Sequence, residues 1–213
     1  MANVNTCRIL WGSGTPRTLR AHWMLKELGL DYEKRPIGSR TGETQDPVFQ
    51  KLNPREKIPV LQDGDLTLAE SAAIATYLGE TYGDAQGLVP PMGTRERAKY
   101  YEWCFFAMTE LDAHTLYIVR KHVALKEIYG EAPNAVRAAF EGFEKQANVA
   151  HLHLLQGGPY ILGNTFTCAD LILTTCLLSG IRYDLKLSNL LRDYVERITA
   201  RSSYKLGLAA NQR

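Results

Sequence analysis

The 213-residue sequence lacks the features of a membrane protein or a nucleic-acid-binding protein. No apolar run approaches the roughly 20 residues that a transmembrane helix needs. The formal net charge is only +2, so charge gives no reason to expect nucleic acid or an anionic membrane as a partner. Residues 1–6 contain neither a basic segment nor an apolar stretch, and we therefore predict no export signal. A hydrophobic content of 45% is ordinary for a soluble globular protein.

Cysteine is also scarce. The four cysteines are scattered and include no C-x-x-C pair: Cys7, Cys104, Cys168 and Cys176. This distribution is typical of reduced thiols in a cytoplasm rather than of a disulfide framework. His151 and His153 are two residues apart, which on a helix directs them to different faces and argues against a shared metal ion. We therefore predict a cytoplasmic protein that holds no metal.

The most informative stretch runs from Lys57 to Ile74. Two short apolar runs surround Asp63-Gly64, a dipeptide that strongly favours a β-hairpin. Pro59 cannot donate to a strand ladder, so it marks the start of the first strand or a special bond there. Directly after the second strand, Glu70-Ser71 leads into a helical stretch.

The start of that helix has the chemistry of an amino-acid site. A helix N-terminus presents free backbone N–H groups and a positive dipole end, which suit a carboxylate. The Ser71 hydroxyl adds a hydrogen bond, and the Glu70 carboxylate suits an amine on the same ligand. An amine beside a carboxylate describes the end group of an α-amino acid. The residues also allow a simpler interpretation, in which Ser71 only caps the helix and Glu70 only complements its dipole.

Composition divides the chain into two domains. Residues 1–83 follow the order strand, helix, strand, short helix, hairpin, helix, which predicts a thioredoxin-like α/β domain. Its first helix starts at Thr15-Pro16, a capping hydroxyl followed by proline. Residues 84–93 have the glycine and proline content of a linker, and residues 94–213 show the apolar stripes of an all-α helical bundle. Thr167 and Asp170 are spaced as a capping box before its most apolar helix, which gives both a structural role.

Two stretches resemble the cytosolic glutathione transferases. They are Asn53-Pro54-Arg55-Glu56-Lys57-Ile58-Pro59, continuing through Leu68-Ala69-Glu70-Ser71 to Leu78, and Gly163 to Leu173. The resemblance implies the glutathione transferase fold, with a cis bond before Pro59. It also implies that the Ile58 backbone pairs with the cysteinyl part of glutathione and that Glu70 and Ser71 hold its γ-glutamyl end. Lys57 is a candidate for binding the glycyl carboxylate, with a solvated surface lysine as the alternative.

The same resemblance places thiol activation at the turn between the first strand and the first helix. A free thiol has a pKa of about 8.5, and a helix N-terminus with one hydroxyl donor favours the thiolate. Family members use a tyrosine in the strand, or a serine or cysteine in the turn. Trp11 lies roughly at the tyrosine position, and the turn contains no cysteine. The chain therefore resembles the bacterial type with Ser/Thr in place of Tyr. Thr15 is the first candidate, Ser13 the second and Thr18 the third, although a cap or turn role explains each hydroxyl as well.

The resemblance implies an enzyme that conjugates glutathione, its co-substrate, to an electrophilic and largely apolar substrate, with a role in detoxification. Four aromatic residues are candidates for the second-substrate pocket, although core packing explains them equally: Trp11, Trp103, Phe106 and Tyr117. The family forms homodimers, and the aromatic residues around Trp103 and Phe106 permit such a surface. The alternatives are a glutathione-dependent peroxidase, dehalogenase or etherase, and a non-catalytic ligand carrier or protein-interaction protein.

Overall fold

The computed structural model describes residues 7–213, so the export-signal prediction from residues 1–6 lies outside the described part. The chain divides into two units. The first contains residues up to Gln86 together with Thr199–Arg213, and the second contains Gly87–Ile198. Within residues 7–213, no helix is both long enough and apolar enough to cross a bilayer, and no disulfide joins the cysteines.

A four-stranded mixed sheet with strand order β2-β1-β3-β4 organises the first unit. Its strands are β1 (Arg8–Trp11), β2 (Glu33–Arg35), β3 (Val60–Asp63) and β4 (Leu66–Ala69). β1 pairs parallel with β2 and antiparallel with β3, and β3 pairs antiparallel with β4. The hairpin predicted around Asp63-Gly64 is therefore confirmed.

Helices alternate with these strands, and the first and the third begin at the residues that the sequence indicates. They are α1 (Pro16–Glu27), α2 (Pro47–Leu52) and α3 (Ser71–Tyr82), with 3-10 turns at Glu43–Gln45 and Asp84–Gln86. Thr15 is the N-cap of α1, as the Thr15-Pro16 pair predicts. The mixed sheet and its helices form the predicted thioredoxin-like arrangement.

The second unit is built of helices. They are α4 (Arg95–Phe106), α5 (Tyr117–Val119), α6 (Lys126–Tyr129), α7 (Pro133–Leu154), α8 (Cys168–Arg182) and α9 (Asn189–Thr199), with π-helical segments at Ala107–Leu116 and Arg120–Ala124. Every residue of α8 from Cys168 to Leu177 is buried, so α8 is the apolar centre that its sequence predicts.

The capping box before α8 is formed by the two predicted residues. Asp170 accepts hydrogen bonds from the Thr167 backbone N–H at 2.8 Å and from the Thr167 hydroxyl at 3.0 Å. Its other carboxylate oxygen accepts from the Ile161 N–H at 2.7 Å and from the Tyr194 hydroxyl at 2.8 Å. Burial raises the pKa of the Asp170 carboxyl, and these hydrogen bonds oppose the rise. The carboxylate therefore ties the loop before α8 to both α8 and α9.

The last helix, α10 (Ser202–Ala210), packs on α1 of the first unit. A Cβ atom on Gly207 would lie only 2.6 Å from the Trp23 Cα, so the two helices meet at close range. The Trp23 indole N–H donates to the Ser203 hydroxyl at 3.3 Å, and Arg201 forms an ion pair with Glu27. An apolar stripe in the sequence shows that a helix packs but not on which partner. The predicted limits 1–83, 84–93 and 94–213 stay predictions.

Candidate functional site

The loop before β3 has the backbone shape that the resemblance implies. The bond between Ile58 and Pro59 is cis, and both residues are buried, whereas Lys57 is exposed. The buried Asn53 side chain donates to the Lys57 carbonyl at 2.8 Å, which fixes the loop one residue earlier. Pairing with β1 and β4 begins only at Val60, so the main-chain groups of Ile58 lie outside the sheet ladder.

Glu70 occupies a strained backbone conformation at the start of α3. Its φ of 73° is unusual for a residue with a side chain, and such strain costs about 1–3 kcal/mol and tends to occur at ligand sites. Glu70 is the N-cap residue of α3, yet its side chain makes no capping hydrogen bond to this helix start. The exposed Glu70 carboxylate instead forms an ion pair with Arg55 at 3.0 Å. Glu70 therefore does not act as a side-chain cap, and the roles of Glu70 and Ser71 at this helix start stay predictions.

Ser71 has a buried cationic partner that the sequence pattern did not indicate. The Arg20 guanidinium donates to the Ser71 hydroxyl oxygen at 3.1 Å, and both residues are buried. Because this oxygen accepts from Arg20, the hydroxyl hydrogen of Ser71 is available for a further acceptor. A carboxylate placed at the start of α3 would therefore meet a hydroxyl donor, backbone N–H groups and a nearby positive charge.

The turn between β1 and α1 contains the three candidate hydroxyls. Thr15 accepts from the Thr18 backbone N–H at 3.1 Å, and Thr18 accepts from the Thr15 backbone N–H at 3.0 Å, forming a reciprocal capping box. The helix-cap interpretation of Thr15 is thus realised. Ser13, Thr15 and Thr18 are 1%, 8% and 0% exposed, respectively. Thr18 is accordingly the least accessible of the three.

Gly12 brings this turn into direct contact with the loop before β3. A Cβ atom at Gly12 would lie 2.6 Å from the Ile58 Cβ and 2.9 Å from the Thr18 Cγ2, and its φ is +110°. Only glycine tolerates both the conformation and the close approach. Ser13 and Thr15 come soon after Gly12 in the chain. Their hydroxyls therefore lie on the segment that follows the contact between Gly12 and Ile58.

His22 is a buried polar residue beneath the same turn. Its Nε2 lies 3.0 Å from the Gly12 carbonyl oxygen and 3.4 Å from the Ser13 hydroxyl, and its Nδ1 lies 2.7 Å from the Tyr32 hydroxyl. The Gly12 carbonyl can only accept, so Nε2 carries the hydrogen and Nδ1 accepts from Tyr32. Burial lowers the pKa of His22 from 6.5 to about 4, which keeps the ring neutral near physiological pH.

Asn211 reaches the turn from the segment after α10. Its side-chain oxygen accepts from the Thr18 hydroxyl at 2.6 Å, and its side-chain N–H donates to the Thr15 carbonyl at 3.1 Å. Its backbone carbonyl accepts from the Gly14 N–H at 2.7 Å. Asn211, His22 and Arg20 are polar residues that sequence reasoning missed, because their partners lie elsewhere in the chain and no local motif marks them.

The four aromatic candidates lie in different surroundings. Trp11 packs against Phe49 with ring centroids 5.9 Å apart, and its indole N–H donates to the Gln62 side chain at 2.7 Å. Trp103 is buried and lines a cleft of about 330 Å³ within the second unit, together with His153 and Ile161. Phe106 and Tyr117 are half-buried in the same unit. Their part in a second-substrate pocket stays a prediction.

Metal chemistry finds no support among the described side chains. In residues 7–213, no group of three or more His, Cys, Asp and Glu side chains is arranged to hold a metal ion. The hydroxyls, the Asn211 amide and the neutral His22 imidazole at the β1–α1 turn suit hydrogen bonding.

The buried neutral His22 predicts a loss of stability in acid. The folded ring stays neutral down to about pH 4, whereas the unfolded ring titrates at 6.5, so protons bind preferentially to the unfolded chain. The free energy of unfolding should therefore fall by about 3 kcal/mol through this group as pH drops across that window. In His22→Gln, which keeps a donor for Gly12 but does not titrate, urea unfolding at several pH values should show a correspondingly flatter profile. The exposed His114→Gln is the control, and parallel profiles for wild type and His22→Gln would contradict the prediction.

Comparison with known proteins agrees with this arrangement. The glutathione S-transferase N-terminal domain matches residues 8–80, and the C-terminal domain of the same family matches residues 106–202. Glutathione S-transferase 3 of Zea mays is 32% identical over 73% of this chain and 70% of that protein. The glutathione S-transferase-like protein gedE of Aspergillus terreus is 28% identical over 94% of each chain.

A solved structure supports the fold over nearly the whole chain. The crystal structure of a glutathione transferase homolog from Lodderomyces elongisporus, with two glutathione molecules per subunit, has a TM-score of 0.88 at 22% identity. It covers 97% of this chain and 99% of that one, so the thioredoxin-like unit and the helical unit together form the predicted fold. Sequence and structure lead to one conclusion: the chain belongs to the glutathione S-transferase family.

Proposed function

We propose that this protein is a glutathione transferase that joins the glutathione thiolate to an electrophilic, largely apolar substrate. The observation that carries the proposal is the start of α3, where a strained Glu70 and an Arg20-bound Ser71 flank a helix end without a side-chain cap. Such an end offers paired recognition of an amine and a carboxylate. Glutathione carries that pair on its γ-glutamyl residue, and the similar structure from Lodderomyces elongisporus contains glutathione.

The rest of the tripeptide follows the surface from α3 toward α1. In this proposal the Ile58 main chain, which lies outside the ladder, pairs with the cysteinyl backbone next to Pro59. The exposed Lys57 ammonium meets the glycyl carboxylate. The contact of Gly12 with Ile58 then brings the sulfur to the first turn of α1.

At that turn the thiol loses its proton to solvent. The α1 N-terminus favours a negative charge, and a hydroxyl from Thr15 or Ser13 donates a hydrogen bond to the sulfur. This Ser/Thr chemistry takes the place of a tyrosine, because the Trp11 indole N–H already donates to Gln62. The thiolate then attacks the electrophile, a carbon–sulfur bond forms, and the leaving group departs with its electron pair. We propose that aromatic surface at Trp11, Trp103, Phe106 and Tyr117 favours apolar substrates, and that the protein acts in cytoplasmic detoxification.

Anchoring of the γ-glutamyl end can be tested by calorimetry with glutathione. Glu70→Gln removes the charge that binds the amine, and Ser71→Ala removes a donor to the carboxylate, so each should raise the Kd for glutathione about 10- to 100-fold. Asp65→Ala, which removes an acidic side chain from the exposed hairpin turn, is the matched control and should bind like wild type. Wild-type affinity in both site variants would remove the basis for the proposed site.

Thiol activation can be assigned to one hydroxyl by ultraviolet titration of enzyme-bound glutathione. Thr15→Ala should raise the pKa of the bound thiol by about one unit and lower kcat with chlorodinitrobenzene about tenfold, because the thiolate loses its donor. Thr15→Ser keeps the hydroxyl and should restore both values, which separates donation from the methyl group's packing. If Ser13→Ala produces the effect instead, Ser13 is the donor. A bound thiol at its free pKa in the wild-type protein would contradict conjugation and favour a carrier.

We also propose a homodimer through an exposed aromatic face of α4. Phe105 is 65% exposed and stacks on Tyr101 with ring centroids 6.1 Å apart, and the Tyr101 hydroxyl lies 4.0 Å from the Met92 sulfur. Trp103, which the sequence suggested for this surface, is buried instead, because it lies on another face of α4. An exposed apolar patch of this kind suits a second copy of the chain.

The dimer proposal predicts that a charged substitution on this face of α4 lowers the mass of the protein in solution. Phe105→Glu would bury a carboxylate against an apolar partner, so light scattering should show a shift from dimer to monomer. Leu152→Glu, at an apolar site on α7 that is 51% exposed, is the control and should remain dimeric. If only Leu152→Glu dissociates, the interface lies on α7 and the proposal is wrong. A monomeric wild-type protein would also reject it.

A further inference from the structure

We infer that Asn211 is a positioning residue for the thiol-activating turn and that it acts through Thr18. The inference rests on the proposed function, because it concerns the hydroxyl that faces the glutathione sulfur. Asn211 is only 8% exposed, and every polar group of its side chain is engaged with the turn. It lies 193 residues from Thr18 in the chain, so its position depends on the packing of α10 against α1.

The orientation of the Asn211 amide follows from its neighbours. The Thr15 carbonyl oxygen lies 3.1 Å from one end of the amide and can only accept, so that end is the NH₂ group. The other end is therefore the oxygen, which lies 2.6 Å from the Thr18 hydroxyl and 3.2 Å from the Gly14 N–H. One side chain thus contacts three residues of the turn, Gly14, Thr15 and Thr18.

This orientation determines where the Thr18 hydrogen goes. Three oxygens lie within reach of the Thr18 hydroxyl: Asn211 Oδ1 at 2.6 Å, the Thr15 carbonyl at 2.9 Å and the Thr15 hydroxyl at 3.0 Å. The Thr15 carbonyl already accepts from Asn211 Nδ2 at 3.1 Å and from the Leu19 N–H at 3.0 Å. Asn211 Oδ1 is the shortest contact and is an obligatory acceptor, so it takes the hydrogen.

With its hydrogen committed to Asn211, Thr18 serves the turn as an acceptor. It receives the Thr15 backbone N–H at 3.0 Å, which holds Thr15 in the extended conformation of an N-cap residue. Thr18 is fully buried and has no hydrogen left for the sulfur, so it positions Thr15 instead of activating the thiol. The Ser13 hydroxyl hydrogen remains available for glutathione, whereas the Thr15 hydroxyl donates to the Thr18 oxygen at 3.0 Å and turns from it to the sulfur when glutathione binds.

Two neighbouring contacts hold the segment that carries Asn211. The Lys34 ammonium donates to the Gln212 carbonyl, and Arg213 forms an ion pair with Glu43 at 2.6 Å. The Arg213 side chain also lies against Gly38, where a Cβ atom would approach its guanidinium to 2.5 Å. Gln212 therefore takes part through its backbone, which makes its side chain a suitable site for a control substitution.

The test compares Asn211→Leu, which preserves side-chain size and removes the amide, with Gln212→Ala. We expect Asn211→Leu to raise the pKa of enzyme-bound glutathione by about one unit and to lower kcat about tenfold. The Kd for glutathione should stay within about twofold of wild type, because the anchoring groups at α3 are untouched. Gln212→Ala should match wild type in all three measurements. A wild-type thiol pKa in Asn211→Leu would overturn the inference.

A double-mutant cycle separates positioning from general loosening of the fold. Thr18→Val alone should reproduce the Asn211→Leu effect on the thiol pKa, and the double variant should be no worse than either single one. Additive effects would mean that Asn211 does not act through Thr18 and would overturn the inference. If Asn211→Leu fails to fold, Asn211→Ser takes its place under the same criteria. A wild-type protein that leaves bound glutathione at its free pKa would overturn the proposed function as well, whereas an unchanged variant overturns this inference alone.

Discussion

The contact between Gly12 and Ile58 is the constraint on which the candidate site depends. The absence of a side chain at Gly12 lets the β1–α1 turn lie against the loop that carries the cis bond, since a Cβ atom there would approach the Ile58 Cβ to 2.6 Å. The Gly12 carbonyl also accepts from His22, which supports the turn from below. The Ile58 main chain and the Ser13 and Thr15 hydroxyls, which we propose bind the peptide and face its thiol, thereby lie on adjoining segments.

The polar residues around this contact form two sets, one buried and one exposed. Arg20, His22 and Asn211 are buried, and each forms hydrogen bonds with a residue of the candidate site. Glu70 and Lys57 are exposed and carry the charges that suit the two ends of glutathione. Buried polar groups are costly unless they are hydrogen-bonded, and the hydrogen bonds of these three residues offset that cost while they fix the site residues.

Local signals in the sequence predicted much of the architecture. The Asp63-Gly64 hairpin, the helix starts at Thr15-Pro16 and Ser71, and the Thr167–Asp170 capping box each depend on residues within a few positions of one another. The missed residues depend on distant partners: Asn211 meets the turn across 193 positions, and Arg20 meets Ser71 across 51. Periodicity likewise marked aromatic residues on α4 without showing that Trp103 is buried while Phe105 is exposed.

The packing of α10 on α1 makes the first unit discontinuous in sequence. Trp23 is fully buried, and its partners Ser203 and Tyr204 come about 180 residues later. During synthesis on the ribosome, α1 is therefore made long before α10, the helix that covers it. The apolar face of α1 stays uncovered while the second unit is synthesised. Contacts of such long separation close late in folding because of their loop entropy. Completion of the β1–α1 turn, which Asn211 contacts, is thus coupled to the arrival of α10, so the turn takes its final form only after that helix has been translated.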